Sequence, residues 1–496
     1  MKLRLAFLTV FLIAACGLGY QLIAGSVSSY LLGDSVTWFS LSIGIYLFAL
    51  GVGSFLSRYV EEGLVERFVQ VELAVSIAGG FSAALLMVAF ASDLWFRPVL
   101  IGLIVLVGTL VGIEIPLLMR ILKGELSFKD LVAKVLSFDY VGSLVVAVVF
   151  PLLLVPRLGL VRSALVLGLL NAAVALFSTW LFETRLRHPL WLRLQAGTAT
   201  LALVLGLVFA GEITDLAEHD FYLGEIVHAE NSAYQRIVVT TTHDEFQLFL
   251  NGALQFSSGD EYRYHESLVH PAMVSVEEPR RVLVLGGGDG LAVREILKHP
   301  AVERVTLVDI DPAMTRLGRT FQPLVELNRH SLSDPRVQVL NEDAMRFLGE
   351  DRHRYDVAIV DFPDPHSFAL GKLYTRTFYR LLFERLAPDG ALSVQSTSPR
   401  QAPRSFWCIA RTLEAAGFSV RPYHAAVPSF GEWGFLLAAK RKIPIPARVP
   451  GGCRYLSQAF LPTLFQLPAD IRRPQVEINR LNTQALVRYY EDEYHS

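Results

Sequence analysis

The sequence has few cysteines, few charged residues and no surplus of either charge. Its three cysteines, Cys16, Cys408 and Cys453, form no CxxC pair in 496 residues, which argues against a disulfide scaffold and a structural zinc site. Basic and acidic residues nearly cancel, at 45 against 47, so the positive surplus of a nucleic-acid-binding protein is absent. Only 19% of the residues are charged and 52% are hydrophobic, which excludes a disordered chain and a wholly soluble one.

The apolar residues are concentrated in residues 1–211. Seven stretches there reach the length of about 20 apolar residues that a membrane-crossing helix needs, whereas residues 212–496 have a soluble composition. This pattern predicts a multi-pass protein of the cell membrane, with the lipid bilayer as a partner. The stretches are approximately 5–29, 36–57, 69–92, 98–120, 134–155, 158–182 and 194–211.

Lysine and arginine are distributed unequally between the two sides of these spans. The N-terminal tail and the loops on its side carry eleven, and the opposite loops carry three. Because positive loops normally stay in the cytoplasm, the N-terminus is predicted to be cytoplasmic. Seven spans would then place the second half of the chain outside.

Three carboxylates, Glu72, Glu114 and Asp139, lie in or near the apolar stretches. Carboxylates inside a membrane are energetically costly and often functional. Two interpretations remain open: a role in transport or ligand binding, or helix packing in which the acid bonds to a neighbouring helix.

The second half begins with the pattern of a small antiparallel sheet over residues 221–257. Residues 234–240 are rich in β-branched side chains, and the runs 246–250 and 253–256 flank Asn251-Gly252. Asn-Gly is the preferred type I′ turn, because both of its central residues need positive φ. The two runs are therefore predicted to form a β-hairpin.

Several apolar strands then alternate with helices, and four of them lead to an aspartate. This alternation predicts a doubly wound α/β sheet with its site at the carboxyl ends of the strands. The strands are 281–285 before the loop Gly286, Gly287, Gly288, Asp289 and Gly290, then 305–308 before Asp309, 337–340 before Asp343, and 357–360 before Asp361.

The loop acid disfavours a dinucleotide cofactor. Asp289 would place a negative charge where a dinucleotide fold holds pyrophosphate, and Leu291 replaces the third glycine of that motif. A nucleoside without phosphate fits better. Asp309 stands where an acid accepts hydrogen bonds from ribose hydroxyls, and Asp343 could contact the adenine amino group.

The remaining acids indicate which tail the nucleoside carries. Asp361, Asp364 and Asp289 would surround the space beyond it, and such a cluster repels a ligand carboxylate while attracting ammonium and sulfonium groups. This disfavours S-adenosylmethionine and favours its decarboxylated form as a co-substrate, with a polyamine acceptor. The sequence predicts no metal, because no histidine, cysteine and carboxylate cluster has ligand spacing.

Residues of about 221–440 resemble the polyamine aminopropyltransferases, the spermidine and spermine synthases, and the whole layout is similar to the membrane-bound bacterial type. The matching segments are YQRIVV, LFLNGALQFSSGDEYRYHESLVHPAM, RRVLVLGGGDGLAVREILKHPAVERVTLVDID, NEDAMRFL and YDVAIVDFPDP.

The resemblance implies an architecture of several parts. It comprises a multi-span α-helical membrane domain, a small antiparallel β domain and a doubly wound α/β domain, Rossmann-like and of the class I methyltransferase type. The expected bounds are 1–211 for the membrane domain with about seven helices, 212–279 for the β domain, 280–445 for the Rossmann-like domain and 446–496 for a C-terminal tail.

The resemblance also implies the reaction, which is transfer of an aminopropyl group from decarboxylated S-adenosylmethionine to an amine such as putrescine, releasing methylthioadenosine. On the donor side, Gln235 would contact the nucleoside, Asp289 the aminopropyl ammonium and Asp309 the ribose. Asp343 and Ala344 would bind adenine. Family members are commonly dimers, so a homodimer is expected.

On the acceptor side, the resemblance places Tyr264 and His265 at the polyamine channel. Asp361 would accept the proton, and Asp364 would bind the acceptor amine. The chain departs from the family here: Phe362-Pro363 and His366 alter the usual acidic loop, and Phe430 stands where many members have tyrosine. The acceptor is therefore less defined than the donor.

Two alternatives remain at this stage. One is a methyltransferase that uses intact S-adenosylmethionine, and the other is a membrane transporter or sensor whose nucleotide-fold half only binds polyamine. The side of the catalytic half also stays open, because the donor nucleoside is expected in the cytosol. A miscounted span, with 194–211 the shortest, would reverse the predicted side.

Overall fold

The chain folds into two compact units, residues 1–224 and 225–496. The computed structural model describes residues 2–32, 35–90, 93–123, 125–213, 222, 224–242 and 245–494, without the side chains of 2, 30–36, 93 and 94. The predicted boundary at 211–212 lies just before the stretch 214–221, which is outside the described residues, so the start of the predicted β domain is not described.

The first unit is helical. Its apolar residues form six helical stretches that are long and apolar enough to cross a membrane, counted over the described residues. The helices are α1 (Lys2–Leu32), α2 (Ser35–Leu56), α3 (Leu64–Gly80), α4 (Ser82–Phe90), α5 (Asp93–Ile121), α6 (Phe128–Val149), α7 (Val155–Leu181) and α8 (Pro189–Val208).

One of these stretches, Phe128–Leu181, is 54 residues long. A straight helix of that length would measure about 80 Å, against about 30 Å of hydrocarbon in a bilayer. The stretch contains α6, a π-helical turn at Phe150–Leu154 and α7, and Gly159 in α7 has non-helical angles, φ 73° and ψ −179°. The chain therefore bends inside this stretch, near the junction of two predicted spans.

The middle of α1 meets the end of α3, and the end of α3 in turn meets the middle of α7 and the later part of α8. The ring of Tyr20 packs against Gly79, and a Cβ added to Gly80 would lie 2.5 Å from Leu203 and 3.3 Å from Gly168. Phe7, early in α1, packs into one hydrophobic cluster with Leu192, early in α8, and Ile23, later in α1, packs into another with Leu203, later in α8. The beginning of α1 and the end of α8 therefore lie at opposite ends of this helix bundle.

The second unit begins with a small antiparallel sheet in the order β1-β2-β3-β4. Asn251 and Gly252 connect β3 to β4 with φ of 50° and 82°, as a type I′ turn requires. The predicted hairpin is confirmed. The strands are β1 (Glu225–Asn231), β2 (Arg236–Thr242), β3 (Glu245–Leu250) and β4 (Ala253–Ser257).

A seven-stranded sheet follows, in the order β10-β11-β9-β8-β5-β6-β7. The five strands from β5 to β9 run parallel, and β11 and β10 add antiparallel pairs at one side. The predicted doubly wound architecture is confirmed. The strands are β5 (Arg281–Gly286), β6 (Arg304–Asp309), β7 (Val337–Asn341), β8 (Tyr355–Asp361), β9 (Leu386–Gln395), β10 (Ser419–Val427) and β11 (Gly431–Ala439).

Helices cover both faces of this sheet, and the C-terminal residues join the core. Val476, Leu486 and Tyr489 pack into the same hydrophobic cluster as the sheet residue Leu392. The helices are α9 (Glu261–Met273), α10 (Leu291–Ile296), α11 (Pro312–Thr320), α12 (Gln322–Leu327), α13 (Ala344–Glu350), α14 (Phe368–Gly371), α15 (Arg376–Arg385), α16 (Pro403–Ala416) and α17 (Ala485–Tyr494).

Candidate active site

The carboxyl ends of the parallel strands open into a cavity of about 560 Å³, a size typical of small-molecule sites. All of the predicted site residues except one line it. Gly290 does not: it precedes α10, and its carbonyl accepts a hydrogen bond from Ser331. The lining residues are Gln235, Tyr264, His265, Gly286, Gly287, Gly288, Asp289, Asp309, Asp343, Ala344, Asp361 and Asp364.

The glycine loop lies directly against two of the aspartates. Gly286 has φ of +80°, and a Cβ there would lie 2.1 Å from the carbonyl oxygen of Asp361. A Cβ at Gly288 would lie 2.7 Å from Oδ2 of Asp309. The strand register pairs Gly286 with Asp361, so only glycine lets this loop pass so close to both acids.

Two of the acids are held by backbone N–H groups. The amide of Leu291 donates to Asp289 Oδ1 at 2.8 Å, and Asp309 accepts from Gly288 at 3.0 Å and from Asp311 at 2.8 Å. Burial raises the pKa of Asp309 to about 6, although both backbone bonds act in the opposite direction. Burial also raises the pKa of Asp289, against the influence of the nearby imidazole of His265.

Asp361 ends β8 in the centre of the sheet edge. The hydroxyl of Tyr264, on α9, donates to its Oδ1 at 2.6 Å. Burial raises the pKa of Asp361 to about 6, and the negative charge of Asp289 adds to that effect. The carboxylate is therefore a stronger base than an ordinary aspartate and is held in one orientation by a phenol.

Asp364 lies further along the same loop and accepts two hydrogen bonds from distant parts of the chain. Gln395, at the end of β9, donates to Oδ1 at 3.1 Å, and Tyr490, on α17, donates to Oδ2 at 3.0 Å. Burial raises the pKa of Asp364 to about 6, although these two bonds oppose the shift. In turn, Trp433 donates to Gln395 Oε1 at 3.3 Å.

His265 carries the positive charge nearest to these acids. Its Nδ1 lies 2.8 Å from Glu261, which also accepts from Arg294 at 2.8 Å. Burial disfavours the imidazolium, but the bond to Glu261 outweighs it and raises the pKa of His265 to about 9. At neutral pH the imidazole is protonated and forms an ion pair with Glu261.

The two candidates for contacting the nucleoside, Asp343 and Gln235, are each bonded to another side chain. Asp343 is the N-cap of α13 and accepts a hydrogen bond from the backbone of Arg346 at 3.0 Å, and Lys372 Nζ lies 2.6 Å from Oδ2. Burial opposes ionisation, but the bond from Lys372 lowers the pKa of Asp343. Gln235 reaches the cavity from the small sheet, where its amide donates to Asp311 at 2.9 Å.

The charge of the cavity follows from these contacts. Within the part of the chain that the structure describes, Lys372 pairs with Asp343, but no lysine or arginine lies within ion-pair distance of Asp289, Asp309, Asp361 or Asp364. Four carboxyl groups thus face one cavity with no lysine or arginine ion-pair partner among the described residues, and the imidazolium of His265 offsets part of their charge. Such a cavity favours a ligand that is itself positively charged.

Sequence reasoning missed several residues that shape this cavity. Gln395 ends β9, a parallel strand that contributes its carboxyl end to the same sheet edge, so its position could have been found. Asp311 caps α11 by accepting a hydrogen bond from the amide of Ala313 at 2.9 Å. Because it directly precedes Pro312, this capping role could also have been predicted from the sequence. Tyr490 and Tyr494 line the cavity from the tail, and no local pattern indicated them.

Comparison with known proteins gives an independent assignment. Residues 261–446 match the family model described as the spermine/spermidine synthase domain. A polyamine aminopropyltransferase of Ralstonia nicotianae is 52% identical over 99% of this chain and 98% of its own length. A polyamine aminopropyltransferase of Leptospira interrogans is 49% identical over 98% of both chains.

A solved structure is also similar to part of the chain. It is a spermidine synthase in complex with the transition-state analogue AdoDATO, with 26% sequence identity and a TM-score of 0.47. The match covers 50% of this chain and 87% of that one.

Proposed function

This chain belongs to the polyamine aminopropyltransferase family, the spermidine and spermine synthases, and from that premise we propose that it transfers the aminopropyl group to putrescine, giving spermidine and methylthioadenosine. The family consists of transferases of polyamine biosynthesis, and decarboxylated S-adenosylmethionine is their co-substrate. The observation that carries the choice of substrates is a set of four carboxyl groups in one cavity that have no lysine or arginine ion-pair partner among the described residues.

On the donor side, we assign one role to each residue along the cavity. Asp309, at the end of β6, accepts the ribose hydroxyls, while Asp343 and Ala344 bind adenine and Gln235 contacts the nucleoside. Asp289 holds the ammonium of the aminopropyl chain. This assignment is supported by two observations: both acids line the cavity, and the backbone hydrogen bonds that they accept leave further acceptor capacity on their carboxylate oxygens.

The proposed reaction is a one-step displacement. The neutral acceptor nitrogen attacks the carbon beside the sulfonium, the carbon–sulfur bond breaks, and its electron pair returns to sulfur as a neutral thioether. The proton that leaves nitrogen goes to Asp361. An alkylamine with a pKa of about 10.4 costs about 4–5 kcal/mol to deprotonate at neutral pH, and the raised pKa of Asp361 reduces the mismatch.

On the acceptor side, Asp364 binds the distal ammonium of putrescine, with Tyr264 and His265 along the channel. The hydrogen bonds from Gln395 and Tyr490 support this role, because they fix the carboxylate without neutralising it. Most of the acceleration would come from positioning the two cationic substrates.

Two measurements test the proposal. Isothermal titration should show tighter binding of decarboxylated S-adenosylmethionine than of the intact form, whose carboxylate faces Asp289 and Asp361. Asp289→Asn should weaken the decarboxylated ligand by at least about tenfold, the value of a hydrogen bond to a charged group. Binding of methylthioadenosine, which lacks the ammonium, should be nearly unchanged. Equal weakening of both ligands would contradict the role of Asp289.

For the rest of the chain, we infer a membrane domain over residues 1–211, a β domain over 212–279, a Rossmann-like domain over 280–445 and a tail over 446–496. The apolar helices support a multi-pass protein of the cell membrane. The family resemblance favours a homodimer, which light scattering of the purified full chain would test.

A further inference from the structure

The first unit contains a second group of acidic side chains that the proposed reaction does not use. Glu72, on α3, and Glu114, on α5, are completely buried inside the helix bundle. Glu72 lies eight residues after the start of the apolar stretch Leu64–Phe90, and Glu114 lies seven residues before the end of Trp95–Ile121. Both carboxyl groups are therefore well inside apolar helices, and they act on each other electrostatically.

Helix packing accounts for only one oxygen of these two side chains. Asn171, on α7, donates to Oε2 of Glu72 at 3.2 Å, which is the contact expected of a packing role. Among the described residues, Oε1 of Glu72 and both carboxyl oxygens of Glu114 have no hydrogen-bond partner. The packing interpretation therefore fits Glu72 in part and does not fit Glu114.

Other unpartnered oxygens lie beside them. The hydroxyl of Tyr20 and Oδ1 of Asn171 are buried and also lack a hydrogen-bond partner within the described chain. The hydroxyl of Tyr20 is close enough to both glutamates to interact with their charges. We call Glu72, Glu114, Tyr20 and Asn171 the intramembrane cluster.

The chemistry of the cluster selects its ligand. Its five unpartnered atoms are all oxygens, and in the described residues no lysine, arginine or histidine forms an ion pair with either glutamate. An unpaired carboxylate in an apolar interior is energetically costly. A positively charged group with several hydrogen-bond donors would stabilise it. A primary ammonium supplies one positive charge and three N–H donors.

We propose that the intramembrane cluster binds the primary ammonium group of an amine, as a site separate from the catalytic cavity. Alkylamines are the substrate class of the family, so the protein encounters ligands that carry this group. This assignment does not depend on which amine accepts the aminopropyl group or on the roles given to the catalytic aspartates.

Equilibrium dialysis of the full chain in lipid nanodiscs, with radiolabelled spermidine, tests the site. The unaltered protein should bind one equivalent more than Glu114→Gln, and Glu72→Gln should weaken that equivalent at least tenfold. Glu125→Gln is the matched control, because Glu125 is an exposed acid of the same unit whose carboxylate pairs with Arg185 at 3.4 Å. It should bind as the unaltered protein does.

A separate readout distinguishes loss of the site from loss of the fold. Turnover at saturating substrate should be the same in Glu114→Gln and in the unaltered protein, since Glu114 does not line the catalytic cavity. Equal spermidine stoichiometry in the two proteins would overturn the proposal. It would also be overturned if sodium chloride, but not choline chloride, removed the extra equivalent, because the ligand would then be an inorganic cation. An infrared carboxylic-acid band lost in Glu114→Gln without any amine binding would assign only protons to the cluster and overturn it as well.

Discussion

The hydroxyl of Tyr490 donates a hydrogen bond of 3.0 Å to Asp364 Oδ2 across 126 residues of sequence. Tyr490 belongs to α17 in the C-terminal tail, which lies beyond the region that matches the family model. The centroid of its ring lies 4.4 Å from the centroid of the Tyr494 ring, and both residues line the cavity. The tail thus contributes directly to the candidate site, at the end where we propose that the acceptor amine binds.

Tyr490→Phe should raise KM for the amine by about tenfold or more. The change removes a hydrogen bond to a charged group, worth about 1.5–3 kcal/mol, and leaves the aromatic ring in place. KM for the sulfonium donor should change little, because Asp289 and Asp309 are untouched. Steady-state kinetics with each substrate varied in turn measure both values.

Tyr489→Phe is the control for this variant. Tyr489 is on the same helix, but its hydroxyl contacts Glu477, away from the cavity. Loss of that hydroxyl should disturb the tail without changing KM for the amine. An equal rise of KM in both variants would mean that Tyr490 acts only through the stability of the tail.

Asp361→Asn should retain nucleoside binding and lower turnover at least about a hundredfold, the loss typical of a general base. The amide keeps the shape of the side chain and can still contact Tyr264, but it cannot accept the proton of the attacking amine. Single-turnover kinetics measure the step, and methylthioadenosine titration measures binding. Near-normal turnover would remove Asp361 from the mechanism.

The pH dependence of kcat/KM for the amine should show an acid limb near pH 6. An aspartate is negative above its pKa and neutral below it, and the pKa of Asp361 and Asp364 is raised to about 6 in each case. As the pH falls through 6, both carboxylates lose the charge that attracts an ammonium. The kcat/KM for the amine should therefore drop by up to about a hundredfold per pH unit.

The slope of the acid limb of the pH profile distinguishes the contribution of Asp361 from that of Asp364. Asp364→Asn should reduce that slope toward about tenfold per pH unit at saturating donor, because of the two carboxylates proposed to act on the amine only Asp361 then titrates near pH 6. Far-ultraviolet circular dichroism at each pH checks that the fold persists. A profile that stays flat down to pH 4.5, as ordinary aspartates would give, would contradict the raised pKa values.

The parts of the site that were predictable from sequence are those encoded by continuous local patterns. Strands β5, β6 and β8 are buried on both faces, so they appear as unbroken apolar runs, and each run ends at the acid or glycine loop that lines the cavity. The turn at Asn251-Gly252 was predictable because few residue pairs adopt positive φ twice in succession.

The missed parts depend on contacts between distant residues. Among the described strands, β10 lies at the edge of the sheet and pairs with β11 alone, so polar residues and Pro422 interrupt its apolar pattern without penalty. Tyr490 reaches Asp364 only after the tail has packed on the core. A pattern of a few neighbouring residues carries no information about either arrangement.

The membrane topology can be tested by reporter fusions. Because the beginning of α1 and the end of α8 lie at opposite ends of the helix bundle, residue 211 should be across the membrane from the N-terminus. The eleven positive residues on the N-terminal side favour a cytoplasmic N-terminus. Alkaline phosphatase fused after Gly211 should therefore be active, and a fusion after Glu125, in a loop on the N-terminal side, should be inactive. Activity only in the Glu125 fusion would reverse the orientation and place the catalytic unit in the cytoplasm, and equal activity in both fusions would contradict the opposite placement of the two ends.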